Sequence, residues 1–562
     1  MKRYQGFLLA IAIGLLAASF VVGPVLTDDT VVQDDFRQSM FWVWRFWDPE
    51  LFPNDFIASV YSGGFDRLPL LWIIYKIAPA FTGSLVGFTK FAAIILAGFT
   101  TAVGYLFYER LSERQAPALA FALLLATTLW CTDHLSAMYA RSFIWICVLL
   151  VMWLKQAGKD WWASLATLAS LFISPIAFLI CFAIEGFDLI LNKRDQLFEF
   201  GAKSQSSWLV INAAVVLLVY KVLPLTTKGL PFADSEWYTT EELKTLPEFL
   251  PGGRHPIFGS SLWDGSWWNN EHWGLGIGFL KISNVLLWAL GLALLYLVVY
   301  RNKHKIEGLF TGMPACLLYS SLALYVAAQV LFPLLYMPSR FLGIPLLLVS
   351  LITLVTVSDF ILSDVVDTFL SKYPAEKKVY LTSTLLMLVA SVYWFHFSRP
   401  QNQYTRYVKM NKGVADIYRN LPKDAMIAGH PLLPDINLAS AIAKRSVFMS
   451  YEHSTPSFNK QVLAEVRRRN VLSLKMVYAS SAGELRQMMK DNKVTHVVAH
   501  LGFYDPAYLA RPSYIEPYMG LLRQLAAKKK FFLKDFLIQN KVAYALFTER
   551  TFELMEKKKN ET

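Results

Sequence analysis

The sequence predicts an α-helical polytopic membrane protein of about eleven spans, followed by a soluble extracytoplasmic α/β domain. Three observations predict it. Of 562 residues, 55% are apolar and only 17% are Asp, Glu, Lys or Arg, and mean hydropathy is +0.38. Long apolar runs recur from the N-terminus to about residue 397 and then stop, which divides the chain into 1–397 and 398–562. Basic residues collect in alternate loops between those runs, as orientation in a bilayer requires.

The first element is the apolar run Phe7 to Leu26, preceded by Lys2 and Arg3. It runs into Leu26-Thr27-Asp28-Asp29 without a small-x-small cleavage site and reads as a retained signal anchor. Later spans are placed near Leu85–Phe107, Ala116–Cys131, Ser142–Leu154, Trp161–Ile173, Pro175–Ile190, Trp208–Leu223, Val285–Tyr300, Met313–Phe332, Leu342–Val357 and Val379–Phe395. Several fall short of the roughly 20 residues needed to cross. The two spans flanking Ser174-Pro175 can also be one kinked helix, and Leu68–Ile77 suits a segment that dips into the membrane.

With the N-terminus in the cytoplasm, the inside loops hold Arg110 and Arg114; Lys155 and Lys159; Lys193, Arg194 and Lys203; Arg301, Lys303 and Lys305; and Lys372, Lys377 and Lys378. The first outside loop, 27–66, holds no lysine. An odd number of spans puts the tail outside. Loop one, the second long loop 224–283 and the tail then share one face. In the tail, Met426-Ile427-Ala428, Val447-Phe448-Met449, Val494 to Ala499 and Val542 to Phe547 have strand length, and Phe458–Arg469 and Ala482–Asn492 have helical spacing.

The net charge of +12 does not imply nucleic acid. Much of it sits in the orienting loops. The tail clusters Arg467-Arg468-Arg469, Lys528-Lys529-Lys530 and Lys557-Lys558-Lys559 suit solvated helix faces or anionic headgroups. All four cysteines, Cys131, Cys147, Cys181 and Cys316, lie in or at the ends of apolar runs, so the tail has no disulfide framework.

The chemistry-bearing candidates lie in the outer loops. Asp34-Asp35 follows the first span, where a carboxylate pair binds a divalent cation, serves as general base, or caps the next helix. Arg37 and Gln38 share a helical face with Asp34, while Phe41, Trp44 and Trp47 at three-residue spacing suit membrane-interface anchoring. Gly252-Gly253 makes a tight turn that presents Arg254 to a phosphate, or else Glu248 and Arg254 simply pair across an ordinary loop. Arg141 and Arg340 sit at outer span ends, against the orientation rule, where they bind a lipid pyrophosphate or snorkel. Asp133-His134 has the chemistry to complete a metal site with Asp34 or Asp35. There is no Walker loop, zinc-protease helix or serine-hydrolase elbow, and no intramembrane chain of acids. Glu185 and Asp188 lie near an inner end, where snorkelling accounts for them.

Asp34-Asp35-Phe36-Arg37-Gln38 with Trp47-Asp48-Pro49-Glu50-Leu51-Phe52-Pro53-Asn54-Asp55 is similar to a set of largely uncharacterised bacterial membrane proteins. So are Pro247-Glu248-Phe249 with Gly252-Gly253-Arg254, Tyr336-Met337-Pro338-Ser339-Arg340-Phe341, and Ile427-Ala428-Gly429-His430-Pro431. The layout of many spans, acids in a first outer loop and an outer C-terminal domain resembles the GT-C superfamily of integral-membrane glycosyltransferases. That superfamily includes oligosaccharyltransferase catalytic subunits, protein O-mannosyltransferases and aminoarabinose transferases. The resemblance implies transfer of a sugar, with inversion, from a polyprenyl-phosphate donor to a glycan, lipid or protein acceptor at the outer face of a bacterial inner membrane. It casts Asp34 or Asp35 as the base or as ligand to Mg or Mn, with Asp133 the nearest second acid. Arg37, Arg141, Glu248, Arg254, Tyr336 and Arg340 are the candidate substrate contacts. Fold analogy does not by itself establish an activity. A non-catalytic lipid-glycan transporter or assembly scaffold is the alternative, although neither half-chain symmetry nor mid-membrane charge is evident.

Overall fold

The computed structural model describes residues 3–65, 68–131, 135–136, 138–196, 204–226, 236–259, 312–332, 335, 337–369, 372–374, 377–378, 381–385, 407–528 and 530–560. The chain opens with α1 (Arg3–Val22), strand β1 (Val31–Gln33), α2 (Asp34–Ser39), α3 (Phe56–Phe65) and α4 (Pro69–Ile77). The helical body continues through α5 (Leu85–Ser112), α6 (Gln115–Cys131), α7 (Ile144–Gln156), α8 (Asp160–Leu171), α9 (Pro175–Asn192) and α10 (Gln205–Thr226), then Met313–Val330 and Ser339–Phe369.

Among the described residues, five helices are long and apolar enough to cross a membrane: Tyr4–Val25, Leu85–Ser112, Pro175–Asn192, Met313–Val330 and Ser339–Thr368. Each buries one side in the bundle. Leu16, Phe20, Phe91, Phe99 and Val326 remain exposed on the other, which suits lipid as the solvent. The chain is a mostly helical polytopic membrane protein. The expected span at Val285–Tyr300 lies outside the described residues, as does most of Val379–Phe395.

Local chemistry explains several boundaries. Ser174 accepts a hydrogen bond from Ala177 N and Pro175 is the first residue of α9, so Ser174-Pro175 begins a new helix rather than kinking a long one. The new helix packs against α8 and α7. Helices α1 and α5 approach closely because a Cβ on Gly14 would lie 2.6 Å from Ala97 O and 2.8 Å from Gly98 Cα.

At the far end of the bundle from α2, the structure corrects the snorkelling expectation. Glu185 and Asp188 are buried. Glu185 accepts hydrogen bonds from Ser164 and Thr167. Lys155 Nζ lies 2.8 Å from Asp188 and 2.7 Å from Asp160, and Lys193 reaches Asp160 at 2.6 Å. Charges placed inside a bundle need such partners, since water cannot supply them.

The C-terminal residues build a four-stranded sheet, after β2 (Tyr407–Lys409), from β3 (Met426–Ala428), β4 (Ser446–Val447), β5 (His496–His500) and β6 (Tyr544–Phe547). Its order is β4-β3-β5-β6; β3 runs parallel to both neighbours and β6 antiparallel to β5. Helices Lys460–Val477 and Ala482–Asp491, capped by Asn459 and Ser481, cover it. Leu474, Val477, Leu485, Val497, Leu522 and Phe547 fill the core between them.

Three attachments tie this unit to loops of the helical body. Strand β1 pairs antiparallel with β2, Val32 opposite Val408. The Tyr238 amide donates to Phe458 O at 2.8 Å, and Phe249 and Phe332 pack on Phe458. Trp44 Nε1 donates to Ala441 O at 2.8 Å, and the Lys444 ammonium sits 3.8 Å above the Trp44 ring. The last contact corrects another expectation. Phe41 and Trp44 are buried against the C-terminal unit and do not anchor in a membrane interface. A buried aromatic and an interfacial one look alike in sequence because both have an apolar body.

Candidate active site

The site grows from the first turn of α2. Gln33, not an aspartate, caps that helix: its side chain accepts from Phe36 N at 3.1 Å. Asp34 and Asp35 occupy the first two helical positions, where the helix dipole favours negative charge, and both side chains are mostly buried. Asp34 accepts from Arg37 Nε at 2.8 Å, one turn along the same helix. Asp35 pairs with Arg141, which sits on the short turn Ala140–Phe143 leading into α7.

Arg37 also reaches across to the C-terminal unit. Its Nη2 donates to Glu452 Oε1 at 3.0 Å, and the other Glu452 oxygen accepts from Arg254 Nη2 at 2.8 Å. One carboxylate thus joins loop one to loop two. Arg254 is aimed by its turn: Gly252 has φ +92°, and a Cβ on Gly253 would lie 2.3 Å from Pro247 O. The guanidinium then stacks 4.2 Å from the Tyr451 ring centre. Burial pushes the Glu452 carboxyl above the usual range, against the opposing pull of Arg254 and Arg37.

A second layer closes around these charges. Gln38 donates to Thr455, and both hydrogen-bond with Tyr61, whose phenol burial raises to about 12. His453 lies at 3.3 Å from the Arg37 carbonyl, and burial lowers its imidazole to about 4. On the side nearest α7, the buried Tyr139 hydroxyl feels Arg340, Asp35 and Arg141 together.

The structure therefore assembles Asp34, Asp35, Arg37, Arg141, Arg254 and Arg340 around one locus. Glu248 turns elsewhere: both its oxygens accept from Arg467, at 2.5 and 2.7 Å, so the expected Glu248–Arg254 pair does not form. The tail arginines are likewise engaged, Arg468 and Arg469 by Glu465 and Arg469 also over the rings of Phe56 and Phe448. Tyr336, Asp133 and His134 lie outside the described residues. Among the described residues no three His, Cys, Asp or Glu side chains form a metal-binding group, and Asp34 and Asp35 face different arginines. That donor set does not fit a cation by itself. Sequence reasoning missed Glu452, His453, Tyr61, Thr455 and Tyr139. Nothing local marks them; only the fold of the C-terminal unit and of α3 brings them to loop one.

The sequence matches no family model and no curated protein. Its fold does have solved counterparts. The oligosaccharyltransferase of Archaeoglobus fulgidus, tethered to an acceptor peptide containing the NVT sequon, aligns with a TM-score of 0.52 at 13% identity, over 93% of this chain and 72% of that one. Its apo form gives 0.51 at 13%, over 94% and 72%. The same organism's AglB, in complex with an inhibitory peptide and a dolichol-phosphate, gives 0.50 at 12%, over 92% and 72%. The fold is like that of these oligosaccharyltransferase structures. At these identities the likeness is one of architecture, reaching from the helical body into the C-terminal residues.

Proposed function

We propose that this protein is a glycosyltransferase that moves a sugar from a polyprenyl-phosphate-linked donor to an extracytoplasmic acceptor. The observation that carries the proposal is the convergence of Asp34, Asp35, Arg37, Arg141 and Arg254 where loop one, loop two and the C-terminal unit meet. The shared fold supports it, since the solved counterparts are captured with an acceptor peptide and with dolichol-phosphate. In this reading the body, 1–397, spans the membrane about eleven times with its N-terminus cytoplasmic, and 398–562 lies outside.

The chemistry follows from the pairing. An acceptor oxygen attacks the anomeric carbon while the bond from that carbon to the phosphate oxygen breaks. The leaving electron pair stays on the phosphate, where Arg141, Arg254 or Arg340 neutralises it. Asp34 or Asp35 takes the acceptor proton. A carboxylate paired to a guanidinium is a poor base, because the pairing favours its charged form. Donor phosphate competing for Arg141 releases Asp35, so base and leaving-group stabiliser become available together. Which acceptor is used, glycan, lipid or protein, is set by groups beyond this cluster.

The test is deletion of the gene in its host, with complementation by wild type, Asp34→Asn and Asp35→Asn at matched expression. The expected result is loss of a sugar from a surface glycan, accumulation of its lipid-linked donor, and no rescue by at least one Asp variant. Full rescue by both variants would discard the transferase in favour of a transporter or assembly scaffold.

A further inference from the structure

We propose that Glu452 is an internal anion lodged in a phosphate subsite formed by Arg37 and Arg254, and that a lipid-borne phosphate takes its place. The proposal rests on the lipid-linked-donor reading for the ligand's source, but the subsite itself is argued from geometry.

Two guanidiniums from different loops each direct one N–H at a different oxygen of the same carboxylate, at 3.0 and 2.8 Å. A tetrahedral phosphate offers the same spread of oxygens and more charge. Neither arginine needs Glu452 for its position. Arg37 is held one turn away by Asp34, and Arg254 is held by stacking on Tyr451 and by its Nε donating to Tyr451 O at 3.3 Å. The subsite therefore survives departure of the carboxylate.

Glu452, by contrast, rides on the short turn Glu452–Ser454 and can withdraw by a side-chain rotation. Two ion pairs and a backbone hydrogen bond, Glu452 N donating to Asn437 Oδ1 at 3.0 Å, hold that turn, so loss of the ion pairs loosens it. Asp34, Asp35 and Glu452 face Arg37, Arg141, Arg254 and, around Tyr139, Arg340. The locus thus leans positive even before any carboxylate leaves. Until displaced, Glu452 ties loop one to loop two through the C-terminal unit and keeps the two arginines from binding weak anions.

Binding of inorganic pyrophosphate to the purified full-length protein in detergent tests this directly. Apparent affinity is reduced by the fraction of molecules in which the competitor occupies the subsite, so Glu452→Gln should tighten binding about tenfold if the closed form predominates by that ratio. Adding Arg254→Ala should abolish the gain. In the wild type, saturating pyrophosphate should speed hydrogen exchange of the 452–455 turn, a measurement that needs no variant to fold. Unchanged or weaker binding by a folded Glu452→Gln protein, or unaltered exchange in the wild type, would overturn the proposal. Nanodiscs doped with polyprenyl phosphate or with phosphatidylglycerol identify the source: a gain confined to the former assigns the subsite to the donor, and an equal gain with both assigns it to anionic headgroups. Should the genetic test fail while pyrophosphate still displaces Glu452, the subsite stands and the transferase falls.

Discussion

Replacing Lys155 by methionine should destabilise the protein by about 3 kcal/mol, although the residue lies far from the candidate site. The side chain of Lys155 is 1% exposed and that of its partner Asp188 is 3% exposed, with 2.8 Å between the charged atoms. Removing one partner of such a pair leaves the other uncompensated, which costs about 3–5 kcal/mol. The lower end applies because Asp188 keeps hydrogen bonds from Asn192 at 2.9 Å and Gln205 at 3.3 Å, and Lys193 stands 3.9 Å away. Lys155→Met combined with Asp188→Leu removes both charges and should recover most of the loss. Denaturant unfolding of the full-length protein in micelles, followed by tryptophan fluorescence, measures all three variants. A single-variant loss below about 1 kcal/mol, the scale of exposed pairs, would show that the pair is solvated. A double variant no more stable than the single one would refute the argument from an unpaired buried charge.

Other outcomes follow from the same contacts. Trp44→Ala should cost about 3–5 kcal/mol and expose loop one to protease, because the indole is buried between that loop and Ala441. Gly253→Ala should match Arg254→Ala in any transfer assay, since the added Cβ collides with backbone and the turn can no longer aim the guanidinium; normal activity in Gly253→Ala would count against that turn. His453 is held neutral, its pKa lowered by burial from 6.5 to about 4, so its contribution to stability is complete above pH 6.5 and falls away toward pH 4, by about 3 kcal/mol. Glu452, raised by burial, contributes with the opposite slope, and its part is lost as pH rises through its folded value. Comparing wild type with His453→Gln at pH 7 and pH 4.5 isolates the histidine, and an identical pH response in the two would exclude it.

The sequence makes some of this legible and hides the rest for physical reasons. The start of α2 at Asp34, the aimed Arg254 after two glycines, and the strand Met426–Ala428 are local features that composition and turn chemistry expose. Hydropathy does not distinguish a side chain solvated by lipid from one buried in protein, so Phe41 and Trp44 read as interfacial and Glu185 as snorkelled. Pairing at long range leaves no local mark at all. Glu452 lies 415 residues from Arg37, and Arg467 lies 219 residues from Glu248. Only the folded chain shows that these charges meet, and that Arg254, only six residues past Glu248, belongs to another carboxylate.

The pairing of β1 with β2 sets a timetable for biogenesis. Asp28 at the head of loop one and Lys409, the last residue of β2, are 381 residues apart, yet they form an ion pair beside the β1–β2 pairing. At ribosomal speeds of roughly 5–20 residues per second, loop one must wait on the order of 20–80 s after its own synthesis before its partner strand exists. Throughout that interval Arg37 lacks Glu452, its partner in the C-terminal unit, so a half-made or truncated chain carries the membrane helices without a finished site.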